Sequence, residues 1–521
     1  MYRNKGTITV FLSLISMLFL SLFCTMAESV RVQAARFQAA AAFDMGLFSI
    51  FGEYDRVLLE EYDLWFLDGS SEEQKIREVL ETKLEKYIQP NINPRYNLAA
   101  GRSWDVFPTE LDRCTVDKYA LATDHGGQVF YSQAVENQKE LFVGEAASAL
   151  KKNIKQMEEG HQKGEEYQNE EQKADEEYQR AQAAQMEEKK RQESEKENAE
   201  KQEESDIKET EAVQAKVENP LDQIKKIKSM GILGLVLKDG TVVSDKTIER
   251  KNLPSERNLQ KGSLLVNEIS ADPVSEAIFL NYLQKHFRCA VDEGGKHQKG
   301  SKEHSLSYEL EYIIGGQKSD RENLKKTVNR ILLIREGMNY ATLAKSAKMR
   351  GEAMALAAAI TGAAALPEFA GALQKLLMLA WAYGESLLDV RTLLAKGKVP
   401  MLKAETEWKL PLEKLGMLAE VLKECDAGGG NGQSYEDYLS GLLILGKKQQ
   451  RNLRVLDLIE CNRRMEKGGE TFRVDALVAQ AEASADFELA PVFLRVPAVW
   501  MHVRNQGTAY TIKGQYGYGQ P

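Results

Sequence analysis

Residues 7–27 form an uninterrupted stretch without a charged side chain, and this stretch constrains the chain more than any other feature. At a helical rise of 1.5 Å per residue it is about 31 Å long, close to the hydrocarbon thickness of a bilayer. The Ala-rich segment 29–51 follows without a break, and the first proline of the chain is Pro90. We therefore predict one continuous helical rod of about 45 residues, rooted in a membrane.

The charges that flank the apolar stretch predict its orientation. Arg3 and Lys5 come before it, and no acidic residue precedes Glu28. The positive-inside rule then predicts a cytoplasmic tail at residues 1–6, a transmembrane anchor at 7–27 and the bulk of the chain outside the cytoplasm. We thus expect a single-pass protein of the cell membrane with its N-terminus in the cytoplasm.

A cleaved signal peptide is the alternative interpretation of the same residues. Thr25 and Ala27 are small residues at positions −3 and −1 of a potential cleavage site. The apolar stretch is longer than the roughly 7–15 residues typical of a signal peptide, which favours the anchor. If residues 1–27 are removed, the protein is secreted and soluble.

The negative charge of the chain is concentrated in one segment. The 521 residues carry a net charge of −9, and residues 151–219 alone contain 21 acidic and 13 basic residues. The remainder is nearly neutral, which gives no electrostatic basis for binding nucleic acid. Gly160 and Gly164 are expected to interrupt a helix in this segment. We predict a charged spacer at 151–219, helical or disordered and surrounded by solvent.

A weak apolar stripe in the spacer supports a second interpretation. If the spacer forms one helix, these residues lie on one face and favour a coiled coil with a partner. The stripe consists of Tyr167, Ala174, Tyr178, Ala181 and Met186.

The rest of the chain predicts an α+β fold that is predominantly helical. Residues 28–150 are expected to form a membrane-proximal helical rod with a small α/β unit, and residues 220–521 an α+β ectodomain with a helical bundle. Helices are predicted at Asp272–Phe287, from Leu324 onward, at Tyr435–Leu445 and at Asn452–Glu466.

Several short segments alternate or end at turn residues, so we predict strands there. We expect two hairpins. One turns at His125-Gly126-Gly127 and the other turns at Asp239-Gly240. The predicted strands are Leu64–Leu67, Thr115–Ala122, Gln128–Tyr131, Ile232–Leu237, Thr241–Val243, Ser305–Ile314 and, at a sheet edge, Thr508–Tyr518.

The apolar region Ala353–Trp381 resembles a pair of membrane spans but is too short for them. Neither of its arms reaches about 18 uncharged residues, and Pro367 and Glu368 separate the two arms. We therefore predict a buried, Ala-rich helical hairpin.

Four of the five cysteines are candidates for disulfide bonds if the bulk of the chain lies outside the cytoplasm. They are Cys114, Cys289, Cys425 and Cys461, and they allow three pairings. Their spacing has no CxxC motif, so buried free thiols are an equally good interpretation.

The sequence contains few residues arranged for catalysis or metal binding. His286, Cys289, His297 and His304 are the only clustered soft ligands, and HxxC alone is a weak signal for zinc. Glu309 lies two residues before Glu311, as in a paired-carboxylate site, but solvated strand residues are commoner. We found no G-x-S-x-G, HExxH, P-loop or dinucleotide motif. We predict no catalytic residue, no cofactor and no metal site, and we expect that the protein is not an enzyme.

The residues after the apolar stretch are candidates for helix packing. Glu28 and Arg31 are neighbours on one helix face, either as an interfacial ion pair or as partners of another anchored helix. Small residues at Ala35, Ala39 and Ala42 would let such a helix approach closely.

The N-terminal region, from KGTITVFLSL to EEYDLWFLD (residues 5–68), resembles the start of an uncharacterised family of membrane-anchored proteins of Gram-positive bacteria. This family is grouped with the TadE/TadG-like proteins of tight-adherence (Flp-type) pilus assembly. Further similar segments are YALATDHGGQVFYSQAV (119–135), NPLDQIKKIKSMGILGLVLKDGTVVSDKTI (219–248), LSYELEYIIGGQKSDRENLKKTVNRILLIREGMN (306–339) and WAYGESLLDVRTLLAKGKVP (381–400).

The resemblance implies a structural or assembly protein of the envelope that acts through protein–protein contacts. Pilin-type subunits are cut after a glycine and carry a glutamate five residues later, whereas here Gly6 is followed by Phe11 at that place. The resemblance therefore implies an uncut, TadG-like component. The expected partners are the lipid bilayer and other anchored pilus or envelope subunits, and a homo-oligomer is left open. The alternative function is a cell-surface enzyme or ligand-binding module acting on cell-wall material.

Overall fold

The computed structural model describes residues 5–71, 75–92, 107–139, 144–199, 220–265, 272–292, 303–363, 369–424, 430–494 and 507–518. The helices are α1 Lys5–Phe51, α2 Arg56–Tyr62, α3 Ile76–Ile92, α4 Asp124–Lys139, α5 Gly144–Ala199, α6 Pro220–Ser229, α7 Ile232–Val236, α8 Pro273–His286, α9 Glu309–Gly315, α10 Asp320–Lys345, α11 Ala347–Ala363, α12 Ala370–Leu394, α13 Leu418–Glu424, α14 Tyr435–Leu445 and α15 Lys448–Arg464. The strands are β1 Leu67–Asp68, β2 Thr109–Leu121, β3 Leu477–Leu489 and β4 Thr508–Gly517. The predominantly helical α+β class is confirmed.

The chain forms two compact units. Unit 1 contains Met1–Glu140, Lys251–Ser270 and Val455–Pro521, and unit 2 contains Leu141–Arg250 and Ala271–Arg454. Both units combine segments that are distant in sequence. This division replaces the linear one predicted from composition, in which the regions followed one another along the chain.

Unit 1 is built on an antiparallel sheet in which β3 is the central strand. β2 pairs with one edge of β3, and β4 together with the two-residue β1 pairs with the other edge. The helices α1 and α3 pack on this sheet. The predicted C-terminal strand is confirmed, whereas the predicted strand at Leu64–Leu67 is reduced to β1.

Small residues let α1 lie close to the sheet. Phe43 and Leu47 of α1 contact Gly514 of β4, where a Cβ atom would come within 2.9 Å of the Phe43 ring. Gly46 lies against Ile88 of α3 in the same way, at 2.8 Å. Because apolar side chains from α1, α3 and the sheet meet here, they form the hydrophobic core of unit 1.

The hairpin predicted around His125-Gly126-Gly127 is wrong. All three residues have positive φ, and they begin α4 rather than join two strands. Asp124 fixes this turn, since its carboxylate accepts hydrogen bonds from Leu121 N at 2.7 Å and Gly262 N at 2.8 Å. The left-handed residues indicate a turn, but they do not determine whether a strand or a helix follows.

Unit 2 is a helical assembly around α10 and α12. Ser319 caps α10 by accepting a hydrogen bond from Glu322 N, and Asp272 caps α8 by accepting from Val274 N and Ser275 N. The Ala-rich region forms α11 and α12, which pack against each other. α12 is almost wholly buried, but α11 buries only one face. Pro367 and Glu368 lie outside the described residues.

The part of the predicted spacer that the structure describes, residues 151–199, is helical, which is one of its two predicted states. The prediction that solvent surrounds it is wrong. α5 is continuous through Gly160 and Gly164 and packs on α10, α12 and α14 within unit 2. Its buried residues recur every three or four positions, which puts them on one helix face. They are Met157, Gly160, Gly164, Tyr167 and Ala174. Tyr178 is half-buried, and the side chains of Ala181 and Met186 lie outside the described set.

Gly164 and Gly337 mark the closest approach of α5 and α10. A Cβ atom on Gly337 would lie 2.3 Å from Gly164 N and from the Lys163 carbonyl carbon. These atoms belong to the backbone, so no side chain can move aside. The glycines that suggested a broken helix are therefore the points where two helices touch.

Two further segments predicted as strands are helical or irregular. Ile232–Val236 forms α7, and Thr241–Val243 forms no strand. The alternating segment Ser305–Ile314 contains most of α9 instead of a strand. In such short segments tertiary contacts outweigh local alternation.

We predict that Gly337→Ala lowers the free energy of unfolding by about 1–3 kcal/mol, since the added methyl group forces α5 and α10 apart. This loss outweighs the roughly 1 kcal/mol that alanine contributes in a helix. Urea unfolding of the full chain in detergent, followed by circular dichroism, measures the change. Gly351→Ala on α11 is the control, because nothing lies within 4 Å of its Cβ position, and it should be neutral or stabilising. Equal effects of the two substitutions would contradict the close contact.

Candidate functional site

Within the described residues, one helix is long and apolar enough to cross a membrane. It is the segment Thr7–Phe51 of α1, and the continuous rod predicted from the sequence is confirmed. Its first half projects large apolar side chains such as Phe11 and Phe23 into the surroundings of the protein. A segment with this position and composition serves as a membrane anchor or as a signal sequence.

Glu28 and Arg31 bind the polypeptide of unit 1 itself. Arg31 donates to Glu28 Oε1 and, at 2.7 Å, to the carbonyl oxygen of Ala490. Glu28 Oε2 accepts from the backbone N–H of Phe493 at 2.8 Å. Both side chains are buried. The two residues thus form the ion pair that was one of the two predicted alternatives, and this pair ties α1 to the segment that follows β3.

The alanines predicted for helix–helix contact are buried inside unit 1. Ala35, Ala39 and Ala42 are each no more than 2% exposed, and the last two belong to the core with the sheet. Beside them, the guanidinium of Arg36 lies 5.3 Å from the ring centre of Tyr510 in β4. The small side chains thus accommodate the chain's own sheet, and this face of α1 is not open to a partner.

The opposite face of α1 carries an exposed apolar stripe, which we call the α1 stripe. Its large side chains remain 54–79% exposed even though they are apolar. The positions recur at intervals of three or four residues and so form one line along the helix. The α1 stripe consists of Val30, Ala34, Phe37, Ala41, Met45 and Phe48. Our sequence reasoning missed this face, although the same spacing is visible in the sequence.

The α1 stripe begins where the predicted anchor ends, so the apolar surface continues from the spanning segment along one side of the rod. Solitary exposed apolar residues are normal on a protein surface, but a continuous line of them marks an interaction surface. We take the α1 stripe as the candidate interface.

Of the clustered soft ligands noted in the sequence, the three that the structure describes, His286, Cys289 and His304, do not form a group that could hold a metal ion. Glu309 accepts from Arg288 N at 3.0 Å and pairs with His304 Nδ1 at 2.8 Å. His286 lies at the end of α8 against the ring of Tyr282, and His297 lies outside the described residues.

A different trio brings ligand atoms together. One atom each of Cys289, Asp292 and Glu436 lies within 4.8 Å of the others. Burial raises the pKa of the Cys289 thiol, and the nearby charges of Glu311, Asp292 and Glu436 raise it further. With no cation bound, the Cys289 thiol is therefore neutral at physiological pH.

Next to this trio lies Glu311, a buried carboxyl whose pKa is raised above its ordinary value. Its Oε1 accepts from Ala290 N at 2.8 Å and from the Tyr435 hydroxyl at 3.0 Å, while Oε2 has no partner among the described residues. Burial raises the pKa of Glu311 to about 7. The interpretation of Glu309 and Glu311 as solvated strand residues is wrong, since both are buried in α9. They accept hydrogen bonds from different parts of the loop after α8, Arg288 N and Ala290 N.

The candidate disulfide cysteines are not bonded to one another where the structure describes them. Cys114, Cys289 and Cys461 are free thiols, as is Cys24. Burial raises the pKa of Cys114 and of Cys461 to about 12, so both thiols are neutral at physiological pH. Cys425 lies outside the described residues.

A cleft of about 450 Å³ between α5, α6 and α12 contains acidic residues. Glu171 pairs with Lys228, and Asp175 accepts a hydrogen bond from Gln179 on its own helix at 2.8 Å. Each of these two carboxylates thus binds its own partner, and the two do not point at a common site. This arrangement gives no support to a paired-carboxylate hydrolase.

The centre of unit 2 holds four buried charges, which we call the Arg335 network: Arg335, Glu385, Asp389 and Lys403. Arg335 Nε donates to Asp389 Oδ2 at 3.0 Å. Lys403 Nζ contacts Glu385 and lies 2.5 Å from Asp389 Oδ1. All four side chains are at least 94% buried.

Neutral groups complete the Arg335 network. Asn339 accepts from Arg335 Nη2 at 2.9 Å and donates to Ser386 Oγ at 2.9 Å. Arg335 Nη1 donates to the carbonyl oxygen of Met401 at 2.8 Å and to the Tyr438 hydroxyl at 3.1 Å. The network therefore joins α10, α12, α14 and the segment after α12. Sequence analysis did not identify this network, and the signal that could have indicated it is the pair of acids, Glu385 and Asp389, four residues apart on the largely apolar α12.

The charges of the Arg335 network stabilise one another. Burial alone would raise the pKa of Asp389, but Arg335 and Lys403 hold it below its usual range. For Glu385, burial and the charge of Asp389 outweigh Lys403 and raise the pKa. With two cations and two acids, the set is nearly neutral and closed, which indicates a structural role.

Comparison with known proteins identifies the family of this chain. The profile of a family of unknown function, DUF5702, matches residues 209–489, more than half of the sequence, and the chain belongs to this family. No curated protein and no solved structure matches the chain. The matched region contains the Arg335 network and β3, whereas α1 precedes it.

We predict that Asp389→Asn lowers the free energy of unfolding by about 3–5 kcal/mol, because it leaves a buried cation without its partner. Arg335→Met should cost a similar amount, and the double variant should cost clearly less than the sum, since both charges are then absent. Denaturant unfolding of the three variants measures this coupling. Neutralising the exposed pair Lys348 and Glu352, 4.0 Å apart, is the control and should cost less than about 0.5 kcal/mol. Additive losses at Arg335 and Asp389 would contradict the network.

We predict that Glu311 makes the protein less stable as the pH rises. Its pKa is about 7 in the fold against an ordinary value of 4.5, so the stabilisation is complete below pH 4.5 and is lost as the pH rises through 7. Glu311→Gln cannot ionise and keeps an acceptor for Ala290 N and Tyr435. Between pH 4.5 and 8 the native chain should lose about 3 kcal/mol more than the variant.

Urea unfolding at a series of pH values measures this difference. Glu322→Gln on the exposed side of α10 serves as the control and should leave the slope of the native chain unchanged. Parallel curves for the native chain and Glu311→Gln would show that Glu311 does not carry the effect.

Proposed function

We propose that this protein is a membrane-anchored structural or assembly component of a Tad/Flp-type pilus or a related envelope machinery. The observation that carries the proposal is the α1 stripe, an apolar face that continues from the spanning segment and stays exposed within unit 1. The sequence resemblance to TadE/TadG-like proteins supports the same role. In this proposal the protein acts through contacts with other polypeptides rather than through catalysis.

The topology that we propose follows from the charges around the spanning segment. Arg3 and Lys5 hold the N-terminus in the cytoplasm, and the units built from the rest of the chain lie on the outer side. The α1 stripe then begins where the anchor leaves the membrane on its extracytoplasmic side. A partner with an anchored helix of its own is restricted to the same layer, which raises its effective concentration near the stripe.

The partner that best fits the α1 stripe is an apolar helix of another anchored chain, including a second copy of this one. Val30, Phe37 and Met45 are spaced like the anchors of a helix that lies in a groove or against another helix. Ala34 and Ala41 between them allow close approach. The face differs from the one predicted from the alanines, but the kind of contact is the same.

We predict that a photo-crosslinking amino acid at Phe37 forms an adduct with a second anchored polypeptide in native membranes. Two tagged copies of the chain, with mass spectrometry of the adduct, distinguish self-association from a different partner. The matched control is the same amino acid at Val242, which is 90% exposed and lies in unit 2, and it should give no such adduct. Phe37→Glu should remove crosslinks formed from Val30. Adducts to lipid alone would overturn the contact.

The N-terminus of the native protein tests the anchor separately, by mass spectrometry of terminally labelled peptides. A start at Met1 supports the uncut, TadG-like arrangement. A start at Thr7 would mean processing of the prepilin type, and a start at Glu28 would make the protein secreted and overturn the anchored arrangement.

A further inference from the structure

A basic cleft in unit 2 has no role in the proposed contacts of α1. It has a volume of about 420 Å³ and lies between the C-terminal ends of α9 and α14, the middle of α10 and the start of α15. Among the described residues that line it are five cations and no acid. The cations are Lys326, Arg330, Lys447, Arg451 and Arg454.

Three of these cations converge on one helix end. Lys326 Nζ donates to Gly315 O at 2.8 Å, and Arg330 Nη1 donates to Ile314 O at 3.4 Å. Arg454 Nη1 donates to the carbonyl oxygens of Ile313 and Ile314 at 2.9 and 3.0 Å. The carbonyl end of a helix carries only about half a negative charge. It therefore balances a small part of the three positive charges.

For two of these cations, Lys326 and Arg330, the other charges that line the cleft do not supply the balance. Arg451 is already paired with Glu276 at 2.7 Å. Lys326 and Arg330 have no acidic partner among the described residues, and their remaining N–H groups have no protein acceptor there. Burial lowers the pKa of Lys326, and the charges of Arg330, Arg454 and Arg250 lower it further. The cations thus repel one another, which costs free energy unless an anion joins them.

The geometry of Arg454 requires a glycine beside it. Gly316 ends α9 with φ +60°, and a Cβ atom there would lie 2.4 Å from the guanidinium carbon of Arg454. A side chain at this position would push Arg454 out of the cleft. The backbone is therefore compatible with a guanidinium held at the cleft.

We propose that this basic cleft binds a phosphate group. A phosphate monoester carries close to two negative charges at neutral pH, which suits Lys326 and Arg330, since neither has an acidic partner among the described residues. Guanidinium groups bind phosphate oxygens in pairs, so Arg330 and Arg454 suit this anion better than lysines would. The cleft is much larger than phosphate itself and has an apolar wall from Ile313, Leu442 and Leu443. The ligand therefore carries an organic group next to its phosphate.

The test is a titration of the full chain in detergent with inorganic phosphate and with phenyl phosphate, followed by calorimetry. We expect both to bind, with phenyl phosphate the tighter because its ring contacts the apolar wall. Arg330→Gln and Lys326→Gln should each weaken binding about tenfold, since each removes a charge-assisted hydrogen bond. Arg330 is exposed, so its substitution leaves the fold intact.

Lys325→Gln is the matched control. Lys325 neighbours Lys326 on α10, is exposed and does not line the cleft, so the variant has the same net charge as Lys326→Gln. It should bind phosphate like the native chain. Absence of binding, equal weakening by Lys325→Gln, or tighter binding of citrate than of either phosphate would overturn the proposal. Phenyl phosphate that binds no better than inorganic phosphate would assign the site to the free anion.

Discussion

The pairing of Arg335 with Asp389 is the contact on which the packing of unit 2 depends. Two helices that meet through buried charges must hold a single register, because a shift of one turn would leave each charge without its partner at a cost of several kcal/mol. Lys403 and Glu385 extend the same requirement to the segment after α12. An apolar core tolerates exchanges of similar volume, whereas this core accepts one arrangement of α10 and α12.

Long periodic elements could be predicted from the sequence, and short ones could not. α1, α8, α14 and β4 follow from uninterrupted apolar patterns that carry their own period. α9 was mistaken for a strand because Ser305–Ile314 alternates over ten residues. The two helical turns there depend on Glu309 and Glu311 reaching the loop after α8. α5 was mistaken for a spacer because the residues that it buries are mostly small. Composition alone cannot distinguish a glycine that breaks a helix from one that admits a neighbour.

The face of α1 that the sequence assigned to a partner is buried in the fold, and the candidate interface that we propose lies on another face of the same helix. Sequence reasoning assigned Ala35, Ala39 and Ala42 to a partner because small residues permit close packing. The chain's own sheet also needs small residues where α1 packs on it, and Gly514 of β4 is one of them. The larger apolar residues, which a hydropathy pattern would bury, remain outside at Phe37 and Met45. Which face belongs to the fold depends on a strand more than 450 residues later, and local patterns contain no information about it.

Unit 1 also joins the two ends of the chain, since Tyr518 donates a hydrogen bond to the carbonyl oxygen of Phe51, 467 residues away. At synthesis rates of roughly 5–20 residues per second, the helix waits between about 20 and 90 s for the strand that covers it. During that interval the face of α1 that is buried in the finished fold is exposed to chaperones and to neighbouring nascent chains. Any product that ends early, at a premature stop or a stalled ribosome, keeps this face permanently uncovered. Only chains synthesised through β4 can therefore cover this face of α1.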